Sequence, residues 1–112
     1  MKLILIDVIK EDVREVETNG ELKDLYTLIG CRCVDKRSFD NFDIIVDDEG
    51  LYHSKKFFCF DGEHLFAGNG LIAGIGKNFK WGTSPLGVEE VKSRVEFLDK
   101  QGAYLKAQEL DI

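Results

Sequence analysis

Residues 42–76 read FDIIVDDEGLYHSKKFFCFDGEHLFAGNGLIAGIG. Phe42–Val46 is an apolar run of strand length, and Asp47, Asp48, Glu49 and Gly50 end it with turn chemistry. The second half of 51–60 is rich in phenylalanine and β-prone, and Asp61 and Gly62 form a turn pair of the hairpin type. From His64 to Ile75, glycines alternate with apolar residues, which predicts a central strand ending at Gly76. Strands spaced this closely leave no room for a helix in each connection. Parallel strands need such crossovers, so the sheet is expected to be antiparallel or mixed rather than doubly wound.

Working outward, Lys2–Ile9 reads as a buried opening strand, and the charged stretch Glu11–Glu17 as a return arm carrying Val13 and Val16. Leu22, Leu25, Tyr26 and Ile29 recur at helical spacing, with Asn19 a candidate N-cap and Gly30 a stop that accepts the left-handed conformation. Cys31–Phe39 reads as another strand, and Phe79 to Gly82 as a short one around Trp81. Ser84 and Pro85 predict the start of a second helix, carrying the stripe Val88, Val91, Val95 and Leu98 and stopping at Gly102. Residues 103–112 then form a tail free to fray or dock. The expected fold is a single α+β domain over 1–112, with a small antiparallel or mixed sheet of five to seven short strands and two amphipathic helices.

The chain has 112 residues, of which 44% are hydrophobic and 32% charged, enough to bury one core without disulfides or metal. Its net charge is −6, and the acid lies mainly in residues 1–50; residues 51–82 carry four lysines against two acids. Such a balance disfavours direct binding to nucleic acid, which needs clustered cations. No apolar run approaches the roughly 20 residues of a membrane helix, and Met1–Ile6 meets Asp7 too soon for a signal peptide. Three cysteines, an odd number, fit a reducing compartment, so the expected location is the cytoplasm.

Several motifs invite chemistry. The glycines at 68, 70, 74 and 76 precede Lys77, but Leu71 stands where a phosphate loop needs its first glycine and Asn78 where it needs a hydroxyl. Cys31, Cys33, Cys59, His53 and His64 hold the atoms of a zinc site at spacings unlike the common knuckles, and buried free thiols explain them more simply. Asp47, Asp48 and Glu49 could hold a divalent cation only in part, the span being too short for a calcium loop. No motif supplies a nucleophile with its base. The sequence therefore implies no cofactor, metal or catalytic residue. Lysines interleave with aromatic residues between Tyr52 and Trp81, a composition that can stack and neutralise a nucleotide; Trp81, Lys77, Lys80 and Phe79 are the candidate ligand-binding residues. The candidate partner-binding acids are Asp47, Asp48, Glu49, Asp12 and Glu15.

Three segments carry a resemblance: LKDLYTLIGCRC at 22–33, FDIIVDDEG at 42–50 and LFAGNGLIAG at 65–74. In this order the chain, over roughly residues 1–100, resembles a family of small proteins encoded by phages, prophages and conjugative elements of Gram-positive bacteria. The Asp47–Gly50 block is its most specific part; the stretch CFDGE at 59–63 and the loop before Ser84 depart from it. The resemblance implies a mobile-element accessory protein in a bacterial host, and by genomic company a counter-defence role. The first expectation is accordingly a noncatalytic inhibitor that binds a host defence protein of the CRISPR or restriction type. The second is a module that sequesters a small anionic nucleotide signal, and the third a metal-dependent hydrolase built on Asp47, Asp48 and Glu49. A homodimer formed through an exposed edge strand is also expected.

Overall fold

A computed structural model covers Met1–Ile112 and describes the whole backbone and every side chain except that of Phe79. It holds the strands β1 (Lys2–Asp7), β2 (Asp12–Glu17), β3 (Val34–Ser38), β4 (Phe42–Asp47), β5 (Lys56–Phe60), β6 (His64–Ala67), β7 (Gly70–Ile75), β8 (Trp81–Gly82) and β9 (Val95–Asp99). The helices are α1 (Leu22–Ile29), α2 (Gly50–His53), α3 (Val88–Arg94) and α4 (Lys100–Glu109). The fold is α+β, and of the antiparallel or mixed pairing that the strand spacing left open it takes the antiparallel throughout. The strands divide between two sheets, one of six strands in the order β2-β1-β7-β4-β3 with β8 also on β7, the other β6-β5-β9.

Alternation along the strands sorts the apolar residues into three clusters and the chain into four layers. Leu3, Leu5, Ile45, Leu71 and Ala73 face one side of the large sheet, where Leu25 and Ile29 of α1 cover them. Ile4, Ile6, Phe42, Ile44 and Ile72 face the other side and meet Phe58, Phe60 and Phe66 of the small sheet. Val91 of α3 enters this same interior. On the outer face of the small sheet, Phe57 and Ala67 pack against Ala103 of α4. The order is helix, sheet, sheet, helix.

One glycine sets how closely the two sheets lie. A Cβ on Gly70 would fall 2.7 Å from Cζ of Phe58. Phe58 is fully buried and stacks on Phe66 with ring centroids 5.0 Å apart. Arg94 ties α3 to the β5–β6 turn. Its Nε and a terminal nitrogen donate to the two oxygens of Asp61, both at 2.7 Å, and its guanidinium lies 4.7 Å from the Phe60 ring centre. Asp61 and Gly62 both take positive φ, as the turn pair predicts.

The C-terminal third departs from the helical reading. Ser84 does not cap a helix: its hydroxyl accepts from the Leu86 amide at 3.1 Å, and the helix starts at Val88 after Gly87. It ends at Arg94, and Val95 opens a strand. From there period two replaces the helical stripe: Val95 and Phe97 turn to the interior of the sandwich, and Leu98 to the α4 side. β-branched and aromatic residues suit that pleated surface, and the pairing offered by β5 overrides the helical spacing. Asp99 then caps α4, accepting from the Gly102 amide at 2.7 Å, so Gly102 lies within a helix rather than ending one. Residues 103–109 belong to that docked helix. At the other end, the cap of α1 is Glu21 rather than Asn19, whose side chain accepts from the Glu21 amide at 2.9 Å; Gly30 stops the helix at φ 84° as expected. Among the described residues no helix is long and apolar enough to cross a membrane.

Gly70→Val forces a side chain against Phe58 and is expected to cost about 1–3 kcal/mol as overpacking, read as a lowered denaturation midpoint. Asp61 supplies a pH signature. Its carboxyl lies below the ordinary range, chiefly through the hydrogen bonds from Arg94, with burial acting against the shift. The native state then binds fewer protons than the unfolded chain, so this contribution is full above the unfolded carboxylate pKa and is lost as pH falls through the depressed one. Arg94→Met is expected to cost about 1–3 kcal/mol near neutrality, and the gap from wild type to narrow in acid. Urea titrations at pH 7 and in the acid range measure both.

Candidate functional site

The end of β4 and the turn that follows it concentrate the polar side chains. Asp47 is 9% exposed. One of its oxygens accepts from the Glu49 amide at 2.8 Å, closing the turn into α2, and the other lies 2.9 Å from Nε2 of His53 at the far end of that helix. The carboxylate thus touches both ends of a one-turn helix, bonding the amide before it and meeting the imidazole at its far end. Glu49 takes a two-point grip on Arg32, at 2.9 and 3.1 Å. Those bonds, with a further one from Cys33, hold the Glu49 carboxyl down to about 2.

Gly50 starts α2 because nothing larger fits: a Cβ there would lie 2.6 Å from the carbonyl oxygen of Ala67. This seats the helix on β6 and turns its next two side chains outward, with Leu51 81% and Tyr52 89% exposed. Beside α2 opens a cavity of about 320 Å³, lined by Val8 and Ile29 at its apolar side and by His53, Ser54, Lys56 and Asn69 among its polar groups. Its volume is at the low end for a small-molecule site.

The residues singled out from the sequence separate in space. In β4–β7 pairing, Val46 faces Gly70 and Phe42 faces Gly74, while Trp81 pairs with Ile75. Asp47, Asp48 and Glu49 therefore lie at one end of the large sheet, and Trp81, Lys77 and Lys80 at the other. Trp81 is a structural anchor: its indole nitrogen donates to Asp43 at 2.7 Å. Asp43 is 2% exposed, lies 3.6 Å from Lys36 Nζ and keeps its second oxygen buried without a partner. Lys77 and Lys80 are exposed at and just after a 3₁₀ turn, Lys77–Phe79, and the Phe79 side chain lies outside the described residues. Of the acids, Asp48 is exposed, whereas Asp47 faces inward to His53 and Glu49 is held by Arg32. Asp12 is 3.4 Å from Arg14, and Glu15 is exposed 4.0 Å from Lys2, both on the edge strand β2.

The metal readings lose their geometry. Among the described residues no group of three His, Cys, Asp or Glu side chains could hold a metal ion. Cys59 is fully buried in the small sheet, and His64 meets Phe39 edge-on at 5.0 Å. Sequence reasoning missed the Asp47–His53 pair, whose members stand six residues apart across a turn and a one-turn helix, where no single period applies. It also missed Asn69, which accepts from the Val8 amide at 2.9 Å, and Asp7, which accepts from the Ile9 and Lys10 amides, each at 3.0 Å. The signal for Asn69 was its place between two glycines at a turn.

The Cys31 thiol is pushed up to about 11, first by burial and then by the charge of Asp47. At pH 8 its thiolate is then about a hundredfold scarcer than that of an ordinary cysteine, and its greater intrinsic nucleophilicity recovers about tenfold. Alkylation of Cys31 is thus expected to run about tenfold slower in the native protein than in the denatured chain. Trypsin cleaves at Arg32 and separates Cys31 from Cys33, so mass spectrometry reads each rate; equal native and denatured rates would refute the assignment.

Comparison with curated proteins and with solved structures returns no match. The model of one protein family matches residues 1–93. The chain belongs to that family, described as a domain of unknown function, DUF3846.

Proposed function

We propose that this chain is a noncatalytic accessory protein of a phage or other mobile element, working in the cytoplasm of its bacterial host by binding a defence protein of the CRISPR or restriction type. The observation that supports this reading is the pair Leu51 and Tyr52, two large apolar side chains left 81% and 89% exposed on a helix braced at both ends. An exposed pair held by a rigid mount loses little conformational entropy on docking, and tyrosine is enriched at the energetic centre of interfaces. Asp48 stands exposed beside them, and the chain as a whole carries −6. A chain of net negative charge complements a basic nucleic-acid channel, the common feature of such defence effectors, and the charge accelerates encounter more than it deepens affinity. The resemblance to small mobile-element proteins supplies the biological setting.

The test is phage plaquing on hosts that carry defined restriction or CRISPR systems and express the chain. Wild type is expected to restore plaquing against at least one system. Leu51→Ser with Tyr52→Ser is expected to lose that protection at least about tenfold, the effect of truncating one interface anchor. Unchanged melting would show that the double variant stays folded. Protection by the double variant equal to wild type, or no protection against any system, would defeat the proposal.

A further inference from the structure

We infer that the cavity beside α2 is a binding site for a small phosphate-bearing anion. It lies between the end of β1, the C-terminal end of α1, the residues after α2 and the β6–β7 turn. The argument rests on what its polar atoms have left to give. Asn69 spends its side-chain oxygen on the Val8 amide, which leaves its two N–H groups as donors. Asp47, the acid on the lining, already has one oxygen on the Glu49 amide and the other on His53. Lys55 and Lys56 line the cavity, and neither makes an ion pair among the described residues. The lining thus presents two cations and unspent N–H donors, while its one carboxylate is turned to the Glu49 amide and to His53. A phosphate, with several acceptor oxygens and up to two negative charges, matches that inventory.

The walls are held in place before a ligand arrives. The Gly68 amide donates to the Lys56 carbonyl at 2.9 Å, joining the turn to the lysine pair. Gly68 has φ +83°, and a Cβ there would lie 2.9 Å from the Ser54 hydroxyl oxygen, so the glycine keeps room for that hydroxyl. Ser54, on the same lining, adds a rotatable O–H donor. Lys56 also borders a second cavity of about 300 Å³ lined by Glu11 and Asp99, without pairing with either acid. Val8 and Ile29 offer an apolar wall for a compact organic body, and among the described residues the one aromatic ring on the lining is the His53 imidazole, which faces Asp47 rather than standing free to stack a base. The ligand class is therefore a small phosphomonoester recognised through its phosphate, at a place distinct from Trp81, Lys77 and Lys80.

Amide chemical-shift titration of the full chain tests this, with inorganic phosphate, glycerol phosphate and adenosine monophosphate as probes and sodium chloride of matched ionic strength as control. Saturable shifts are expected at Ser54, Lys56, Gly68 and Asn69 with inorganic phosphate and glycerol phosphate, and none with chloride. Lys55→Met with Lys56→Met, both exposed positions, is expected to weaken binding at least about tenfold while melting is unchanged; Ser54→Ala supplies a second, smaller loss. Absence of saturation, the same shifts with chloride, or undiminished affinity in the lysine double variant would overturn the site. Tight binding of adenosine monophosphate with shifts centred on Trp81 would overturn it too, placing the ligand at the other end of the sheet. The Leu51 and Tyr52 side chains are outside the lining, so failure here and failure of the docking surface are separate results.

Discussion

The contact of Phe58 with the bare backbone of Gly70 governs the architecture. β7 is the spine of the large sheet, paired with β1 and with β4. A side chain at Gly70 would lift the small sheet away from that spine. Without one, Phe58 seats fully buried, and Phe60 and Phe66 close over Ile4, Ile44 and Ile72. Dense contact of this kind gains dispersion from many atom pairs at once, which is why a single Cβ matters. The small sheet then carries the residues after α2 on one of its strands and the seat of α2 on another.

The consequences reach the exposed surface through Gly50 and Asp47. Gly50 rests on the Ala67 carbonyl of β6, while Asp47 at the end of β4 grips α2 from the other sheet. The one-turn helix is thus fastened to both sheets, and its length alone could not sustain it. Around it the charges divide by task. Asp47 and Glu49 are engaged with His53 and Arg32 and serve the shape of the turn. Lys55 and Lys56 have no ion-pair partner among the described residues and remain available to a ligand. Leu51 and Tyr52 stand largely exposed.

What could be read from the sequence was what local chemistry determines. The strand spacing between Phe42 and Gly76 excluded a doubly wound parallel sheet, and the stripe from Leu22 to Ile29 with Gly30 behind it marked α1. The turn at Asp61 and Gly62 was equally plain. What depended on distant partners was not legible. Val95 and Leu98 fit a helix as well as a strand until β5 offers an edge to pair with. A second sheet cannot be inferred from phenylalanines whose facing surface is unknown. Trp81 looked like a stacking platform because its partner, Asp43, is 38 positions away. Asp47 looked like a surface acid in a run of acids, and only the fold brings His53 against it. Of the candidate residues, Asp47 and Glu49 hold the turn into α2, and the proposed anion site lies on Ser54 and the lysines just beyond.

The central claim is that the two sheets form one cooperative body, joined at Gly70 and Phe58, which holds α2 and its neighbours in place. Native-state hydrogen exchange measures this directly. The account predicts that the slowest amides of β5 (Lys56–Phe60) and of β7 (Gly70–Ile75) exchange with the same free energy, that of global unfolding. Exchange of β5, β6, β9 and α4 together at a distinctly lower free energy than β7 would contradict it, because the small sheet would then open by itself and could not fix the surface it carries.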